Sequence, residues 1–405
     1  MPRPRLLFLA EGATMLHFVR PLALAESLDP ARYDIHFHAP ARFASHLKNQ
    51  RFTIGKLDTM PGEQFLANLA KGAPLFPSQV IRRYVAEDRE LIRTLRPDLV
   101  IGDMRLSLPV SARLEQTRCA VLINGYWSPF APYRSVVPEV PLTRVIPPRW
   151  LGGLFRLTEP LAYMVHVRPL NQIRKELGVP PLPPDVRQMY AEGDHVLYAD
   201  VPEFIPTTGA PANHRYVGPC NWELSAPKPE WWGRMLDDAR PKVFVSLGSS
   251  GPVRALPALL AALKRLPVSV IVATSGRTAV PEGPGLYSAQ LLPFSETARI
   301  ARVVVSHGGS GGLYPALAAG TPVLGVPANA DNHLSTAALV ESGAGLGIRV
   351  EEASSAKLHR ALSDLLEDPR FTQSAQKWAQ IYARYDSPTL FRGFLDEILP
   401  PNLGP

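Results

Sequence analysis

Apolar runs short enough to be strands alternate along this chain with stretches whose apolar positions fall three and four apart. In the first half, the runs at 5–10, 33–38, 52–57, 98–101 and 119–123 read as strands. The stretches at 19–28, 62–71, 78–95 and 106–116 carry helical periodicity. A proline-rich, aromatic stretch at 124–150 follows. Next comes a helical pattern at 154–177, which Pro160 and Pro169 are expected to kink or divide. Short strands are predicted at 195–199 and 215–217, and 218–240 reads as a linker rich in Pro and Trp. A second series opens at Lys242, with strands at 243–247, 268–273, 285–288, 303–306, 323–326 and 345–348. Helices are predicted between and after them, at 257–265, 295–301, 313–319, 332–342, 353–367 and 371–385, and an amphipathic helix at 388–398 ends the chain. This repeated order predicts an α/β protein with two doubly wound parallel sheets. Ligands of such sheets sit beyond the carboxyl ends of the strands, so a cleft between the two halves is the expected site.

The chemistry concentrates in 303–331, VVVSHGGSGGLYPALAAGTPVLGVPANAD. An apolar strand runs into His307, then Gly308, Gly309, Ser310, Gly311 and Gly312, and then a helix closed by Gly320. Unpaired N–H groups and the positive end of a helix dipole converge there, and glycine lets an anion approach the backbone. A tight turn that needs glycine only for its angles is the plainer alternative.

Composition narrows the picture. With 405 residues, 46% hydrophobic and 20% charged, the chain fits a two-domain globular protein. Its 43 prolines cluster in connectors rather than in one tail. A net charge of +7 favours anionic partners, among them a membrane surface met peripherally. The basic residues are scattered and no recognition motif accompanies them, so nucleic acid is not an expected partner. Cys119 and Cys220 have neither metal nor disulfide-framework spacing. His36 and His38 share a face through strand alternation, and no third ligand joins them, so no metal is expected. The apolar run at 6–10 is too short for a signal peptide, and 255–273 is broken by Lys264, Arg265 and Pro267. A cytoplasmic location is the expectation.

At this point the order of motifs resembles the UDP-glycosyltransferase superfamily, whose members have the two-domain GT-B fold. The likeness is strongest to bacterial members that glycosylate natural products and lipids. Ser306-His307-Gly308-Gly309, then Ala316 through Pro322, then Pro327 and Asp331, follow the family's donor-site signature in order and spacing. Ser246-Leu247-Gly248-Ser249 looks like its phosphate loop, and Glu341 through Gly347 fits a further run. In the first half, the segment from His17 to Pro21 looks like the family's His-x-x-x-Pro, and Arg96 through Asp103 looks like the strand ending in its helper Asp.

The resemblance implies an acceptor-binding domain at 1–217, a linker at 218–240, a donor-binding domain at 241–387, and a last helix within 388–405 packing back on the first domain. It implies inverting transfer of a hexose from a nucleotide diphosphate sugar to a hydroxyl, with His17 as general base and Asp103 as its orienter. Neutral imidazole suits that role near neutral pH, and a carboxylate on the other ring nitrogen fixes the tautomer. Donor contacts are expected from Ser249, Leu292, His307, Gly309, Ser310, Gly311, Gly312, Asp331 and Asn332. The reaction is expected to need neither metal nor other cofactor. An apolar or aromatic acceptor is expected on Phe65, Tyr84, Tyr126, Trp127 and Phe130, with Tyr133 in the same loop.

Three departures mark this chain. Asn332 stands where the family has Gln. Pro315 replaces the Glu that holds ribose hydroxyls in many members, which favours a dTDP-sugar over a UDP-sugar. The family's Trp-rich base-stacking segment is reduced to 290–294, with Phe294 the remaining ring. Rival readings are a nucleotide-sugar epimerase of the same fold, a non-catalytic nucleotide-sugar-binding subunit, and a serine hydrolase. The last would use Ser310 in a G-x-S-x-G elbow, with Asp331 and His333 or His359.

Overall fold

A computed structural model of the chain describes residues 3–47, 51–132, 134–139, 143, 145–146, 148–221 and 226–399. Tyr133 lies outside the described residues. The chain forms two compact units. One holds residues 1–135, 153–222 and 385–405, and the other holds 136–152 and 223–384.

The first unit is built on a parallel sheet of β1 (Arg5–Ala10), β2 (Asp34–Ala39), β3 (Thr53–Lys56), β4 (Leu99–Asp103), β5 (Cys119–Ile123), β6 (His195–Tyr198) and β7 (His214–Tyr216). Its order is β3-β2-β1-β4-β5-β6-β7. Both faces of β1 are covered. Leu6, Phe8 and Ala10 join one apolar cluster, and Leu7 and Leu9 join another. A strand buried on both faces must be apolar along its buried length, and for that reason 6–10 reads as a continuous apolar run after Arg5. The order reverses between β1 and β4, where the register sets Ala10 beside Asp103. That reversal is the topological switch point at which such sheets bind ligands.

The second unit repeats the plan with β8 (Lys242–Ser246), β9 (Ser269–Ala273), β10 (Leu286–Ala289), β11 (Val303–Ser306), β12 (Val323–Gly325) and β13 (Gly345–Gly347). Its order, β10-β9-β8-β11-β12-β13, reverses between β8 and β11, with Ser246 beside Ser306.

Two features differ from the expectation. Residues 136–152, expected in the first half, group with the second unit. There the Glu139 N–H donates to the Ala328 carbonyl at 2.8 Å, and the Glu139 carboxylate pairs with Arg254. The helical stretch with Pro160 and Pro169 is one helix, Pro148–Glu176, rather than two. Each proline removes one backbone bond, but Val167, Leu170 and Ile173 are buried and anchor the later turns. The last helix, Ser387–Ile398, places Phe391, Phe394 and Leu395 in the same cluster as Leu6 and Phe8 of β1.

Along the helix Pro148–Glu176, Leu154, Leu157, Leu161 and Met164 are exposed, Leu157 by 81%. Among the described residues no helix is long and apolar enough to cross a membrane.

Candidate active site

The first unit's switch point carries the residues singled out for catalysis. The helix Leu16–Glu26 follows β1 and starts earlier than its periodicity suggests, so His17 stands in its first turn. Asp103 is the last residue of β4. Met104 then takes a left-handed φ of 59°, an uncommon conformation for a residue with a side chain, and turns the chain away from the carboxylate. His17 Nδ1 and Asp103 Oδ1 lie 2.8 Å apart. Asp103 is 1% exposed and His17 is partly open.

Asp103 is held in a network that no motif announces. Arg20 donates from Nε to Asp103 Oδ2 at 2.7 Å and from Nη2 to Oδ1 at 2.8 Å. Its Nη1 donates to Asn124 Oδ1 at 2.7 Å. Burial alone would raise the Asp103 pKa, but the Arg20 guanidinium, with His17 beside it, brings it below the usual carboxylate range. One turn of chain away lies a second buried cluster. Arg105 sits fully buried between Asp88 (2.8 Å), Glu87 (2.9 Å) and Glu11 (3.3 Å). Burial pushes the Glu11 carboxyl up, against the pull of Arg105.

This cluster decides two of the acceptor residues. Tyr84 is 2% exposed, with the Arg105 guanidinium 3.7 Å from its ring centre. Phe65 is 5% exposed and packs on Phe76 at 5.8 Å. Both rings belong to the core and present no face to a ligand, contrary to expectation. Tyr126, in the turn Gly125–Trp127 after β5, is also mostly covered. Trp127 and Phe130 are partly open. Trp127 meets Tyr190 edge-on at 5.2 Å, and Phe130 meets His214 edge-on at 5.2 Å.

At the second unit's switch point, β11 runs into His307. Gly308 turns the chain at φ 80°, where glycine carries no steric cost. Its N–H donates to Ser306 Oγ at 3.0 Å. The helix then begins at Ser310, not Leu313, so Ser310, Gly311 and Gly312 form its first turn. Gly312, expected among the anion-facing amides, instead donates its N–H to the Gly309 carbonyl at 3.1 Å, in the tight opening of the helix. The amides of Ser310 and Gly311 stand at the helix start, where no intrahelical acceptor exists. A methyl at Gly309 would lie 2.6 Å from His307 Nε2, so the bare backbone there makes room for the imidazole.

Four buried polar atoms around this turn have no hydrogen-bond partner among the described residues: His307 Nδ1, Asn332 Oδ1, His333 Nε2 and Thr336 Oγ1. Groups so placed cost free energy unless something polar completes them. Asn332 is 3% exposed, whereas Asp331, in the first turn of the helix Ala330–Glu341, is partly open. Ser249 is exposed in the loop after β8. Arg277 was not foreseen. It follows β9 and donates to the Gly251 carbonyl at 2.5 Å, which brings a cation to the same loop. Leu292 is buried. Phe294, expected to stack on a base, is partly open, with its ring edge-on to Phe244 at 5.0 Å. The hydrolase reading finds no support, since His333 Nε2 makes no bond to Ser310. The His359 ring faces the Ala262 carbonyl at 3.4 Å, on another helix.

The buried imidazoles set an acid limit on stability. Burial pushes His307 down to about 4, with Asp331 opposing and Arg277 adding to the shift. Burial and Arg349 push His333 to about 3, against Glu351. Burial lowers His38, His166, His195 and His214 as well. Between the ordinary histidine pKa and these lowered values the unfolded chain binds more protons, so stability falls as pH falls through that window. The carboxyls of Glu11, Glu87 and Glu159, raised by burial, act in the opposite sense but are fewer. The urea midpoint is expected to be lower at pH 5 than at pH 7. An equal or higher midpoint at pH 5 would contradict neutral, buried imidazoles.

The family "Erythromycin biosynthesis protein CIII-like, C-terminal domain" matches residues 257–395. A PGL/p-HBAD biosynthesis glycosyltransferase of Mycobacterium tuberculosis is 41% identical over 381 residues, covering 94% of this chain and 89% of the relative. A PGL/p-HBAD biosynthesis rhamnosyltransferase of Mycobacterium bovis is 40% identical over 383 residues, covering 94% and 85%. Among solved structures, the Streptomyces sp. SF2575 glycosyltransferase SsfS6, complexed with thymidine diphosphate, shares the fold. Its TM-score is 0.66 at 20% identity, over 97% of this chain and 99% of the neighbour. With the identity spread over nearly the whole chain and the two parallel-sheet units in place, the protein belongs to the UDP-glycosyltransferase superfamily of GT-B fold and is a glycosyltransferase.

Proposed function

We propose that this glycosyltransferase moves a hexose from a nucleotide diphosphate sugar to a hydroxyl of an apolar or aromatic acceptor, with inversion at the anomeric carbon. The observation that carries the reading is the His17–Asp103 pair at 2.8 Å. With Nδ1–H donated to an ionised carboxylate, Nε2 holds the lone pair. It takes the acceptor's proton as the acceptor oxygen bonds to the anomeric carbon. The bond from that carbon to the phosphate oxygen breaks, and the nucleoside diphosphate leaves with the electron pair. Its charge is met by the amides of Gly309, Ser310 and Gly311, by His307 and by Arg277, with Ser249 on the neighbouring loop. The reading therefore calls on no metal. Asp331 faces the sugar hydroxyls, and the unpartnered Oδ1 of Asn332 supports a polar ligand at its side.

A dTDP-sugar is the preferred donor. Pro315, inside the helix Ser310–Ala318, offers no group to a ribose 2′-hydroxyl, and the fold neighbour solved with thymidine diphosphate agrees with this preference. Trp127 and Phe130, with Tyr126 behind them, are the aromatic residues left for the acceptor. The relatives named for PGL/p-HBAD biosynthesis support an acceptor of that class. A peripheral contact with an anionic membrane has its support in the net charge of +7 and in the exposed apolar side chains from Leu154 to Met164, flanked by the exposed Arg156 and Arg168.

His17→Ala is expected to lower transfer by about 10²–10⁴-fold while nucleotide binding persists. Undiminished turnover would remove His17 from the reaction. In a thermal-shift panel, dTDP should raise the melting temperature more than UDP or GDP, because a ligand of the native state stabilises it by mass action. A larger shift with UDP would reverse the donor assignment. The protein should sediment with vesicles containing anionic lipid, and Leu154→Glu with Leu157→Glu should release it. Sedimentation unaffected by the double change would exclude this face.

A further inference from the structure

We propose that Arg20 is a positioning residue of the transfer reaction. It fixes the Asp103 carboxylate that orients His17, and it shares that carboxylate's charge with His17. This rests on the reading of His17 as the base.

The geometry is specific. Both oxygens of Asp103 are used by Arg20, Oδ2 by Nε at 2.7 Å and Oδ1 by Nη2 at 2.8 Å. Oδ1 is the same atom that His17 Nδ1 approaches at 2.8 Å. The planar guanidinium fork therefore sets the plane of the carboxylate, and the carboxylate sets the ring. The fork is itself fixed. Arg20 Nη1 is bonded to Asn124 Oδ1, and Asn124 Nδ2 donates to Asp200 Oδ2 at 3.2 Å. Asp200 also accepts the Gly125 N–H at 2.5 Å. The network thus links the helix after β1 to the ends of β4, β5 and β6. Arg20 is 3% exposed and lies behind Asp103, so it acts through that residue.

The second consequence is electrostatic. A buried Asp paired with His alone strongly favours the imidazolium, and an imidazolium cannot act as a base. Here a permanent cation already neutralises the carboxylate. The other charged or titratable groups facing the network leave that balance in place. Glu11 faces His17, but its carboxyl is pushed up by burial and paired with Arg105. Cys220 and Tyr126 face Arg20, and burial pushes the thiol up to about 12, so it is uncharged. Asp200 is engaged by Gly125 and Asn124.

The test uses the full-length enzyme with Arg20→Met and Arg20→Lys, measuring kcat and KM for donor across pH, beside His17→Ala. In Arg20→Met the acid limb of kcat/KM should move to higher pH by about one unit. Activity at pH 7 should then fall about tenfold and partly recover at higher pH, with KM for donor within about twofold of wild type. Arg20→Lys keeps the charge but loses the fork. Its acid limb should stay in place while kcat falls at every pH. A wild-type profile in Arg20→Met overturns the proposal. So does a wild-type kcat in Arg20→Lys, which remains informative if the methionine variant does not fold. Should His17→Ala keep full activity, the base assignment itself falls. If His17→Ala is inactive and the Arg20→Met limb does not move, only the role of Arg20 falls.

Discussion

A carboxylate at the buried end of β4 stays ionised, and the side chains around the first unit's switch point are arranged to keep it so. Removing a charge from water costs several kcal/mol unless partners replace the hydration. Asp103 has two, a guanidinium that grips both oxygens and an imidazole that touches one. Those partners can reach it only because β4 lies beside β1 in the sheet. A strand order without that adjacency would leave His17 and Asp103 far apart. The buried strands β1 and β4, the crossover that brings them side by side, and the left-handed turn at Met104 all support this one contact.

The second unit solves the opposite problem at the equivalent place in its sheet. The first unit's switch point holds a fixed anion with its cations supplied. The other collects backbone amides, a cation and a neutral buried imidazole, with the Asp331 carboxylate beside it. Arg277, the opening amides of the helix Ser310–Ala318 and the unpartnered atoms of His307, Asn332 and Thr336 surround one turn. One fold plan thus yields an ion-paired carboxylate in one unit and a turn with unpartnered buried polar atoms in the other.

Much of this was legible in the chain. Strand and helix order could be read because two-sided burial makes the central strands mostly apolar, and because glycine and proline punctuate the turns. His17, Asp103 and His307 stood out because each follows such a strand at a place where chemistry is common. What escaped notice was held by tertiary contact. Arg20 sits among Phe18, Val19, Pro21 and Leu22, and a charged residue in so apolar a helix was itself a signal of a buried partner. Phe65, Tyr84 and Phe294 read equally well as ligand contacts or as core, because sequence does not reveal what covers a ring. Phe65 is covered by Phe76 and Tyr84 by Arg105, whereas Phe294 stays partly open beside Phe244. Gly312 was one of a run of glycines, and the difference between an amide that faces a ligand and one that closes the first turn of a helix is a matter of a single backbone bond.

The path of the chain carries a consequence for biosynthesis. The helix Ser387–Ile398 is made after the second unit, yet Phe391, Phe394 and Leu395 pack with β1, which is made before it. While the ribosome is still adding the second unit, the core of the first lacks these side chains and keeps an apolar face uncovered. The second unit, by contrast, has all its strands and most of its helices in one uninterrupted stretch. The half of the molecule that leaves the ribosome first is therefore the half that finishes folding last.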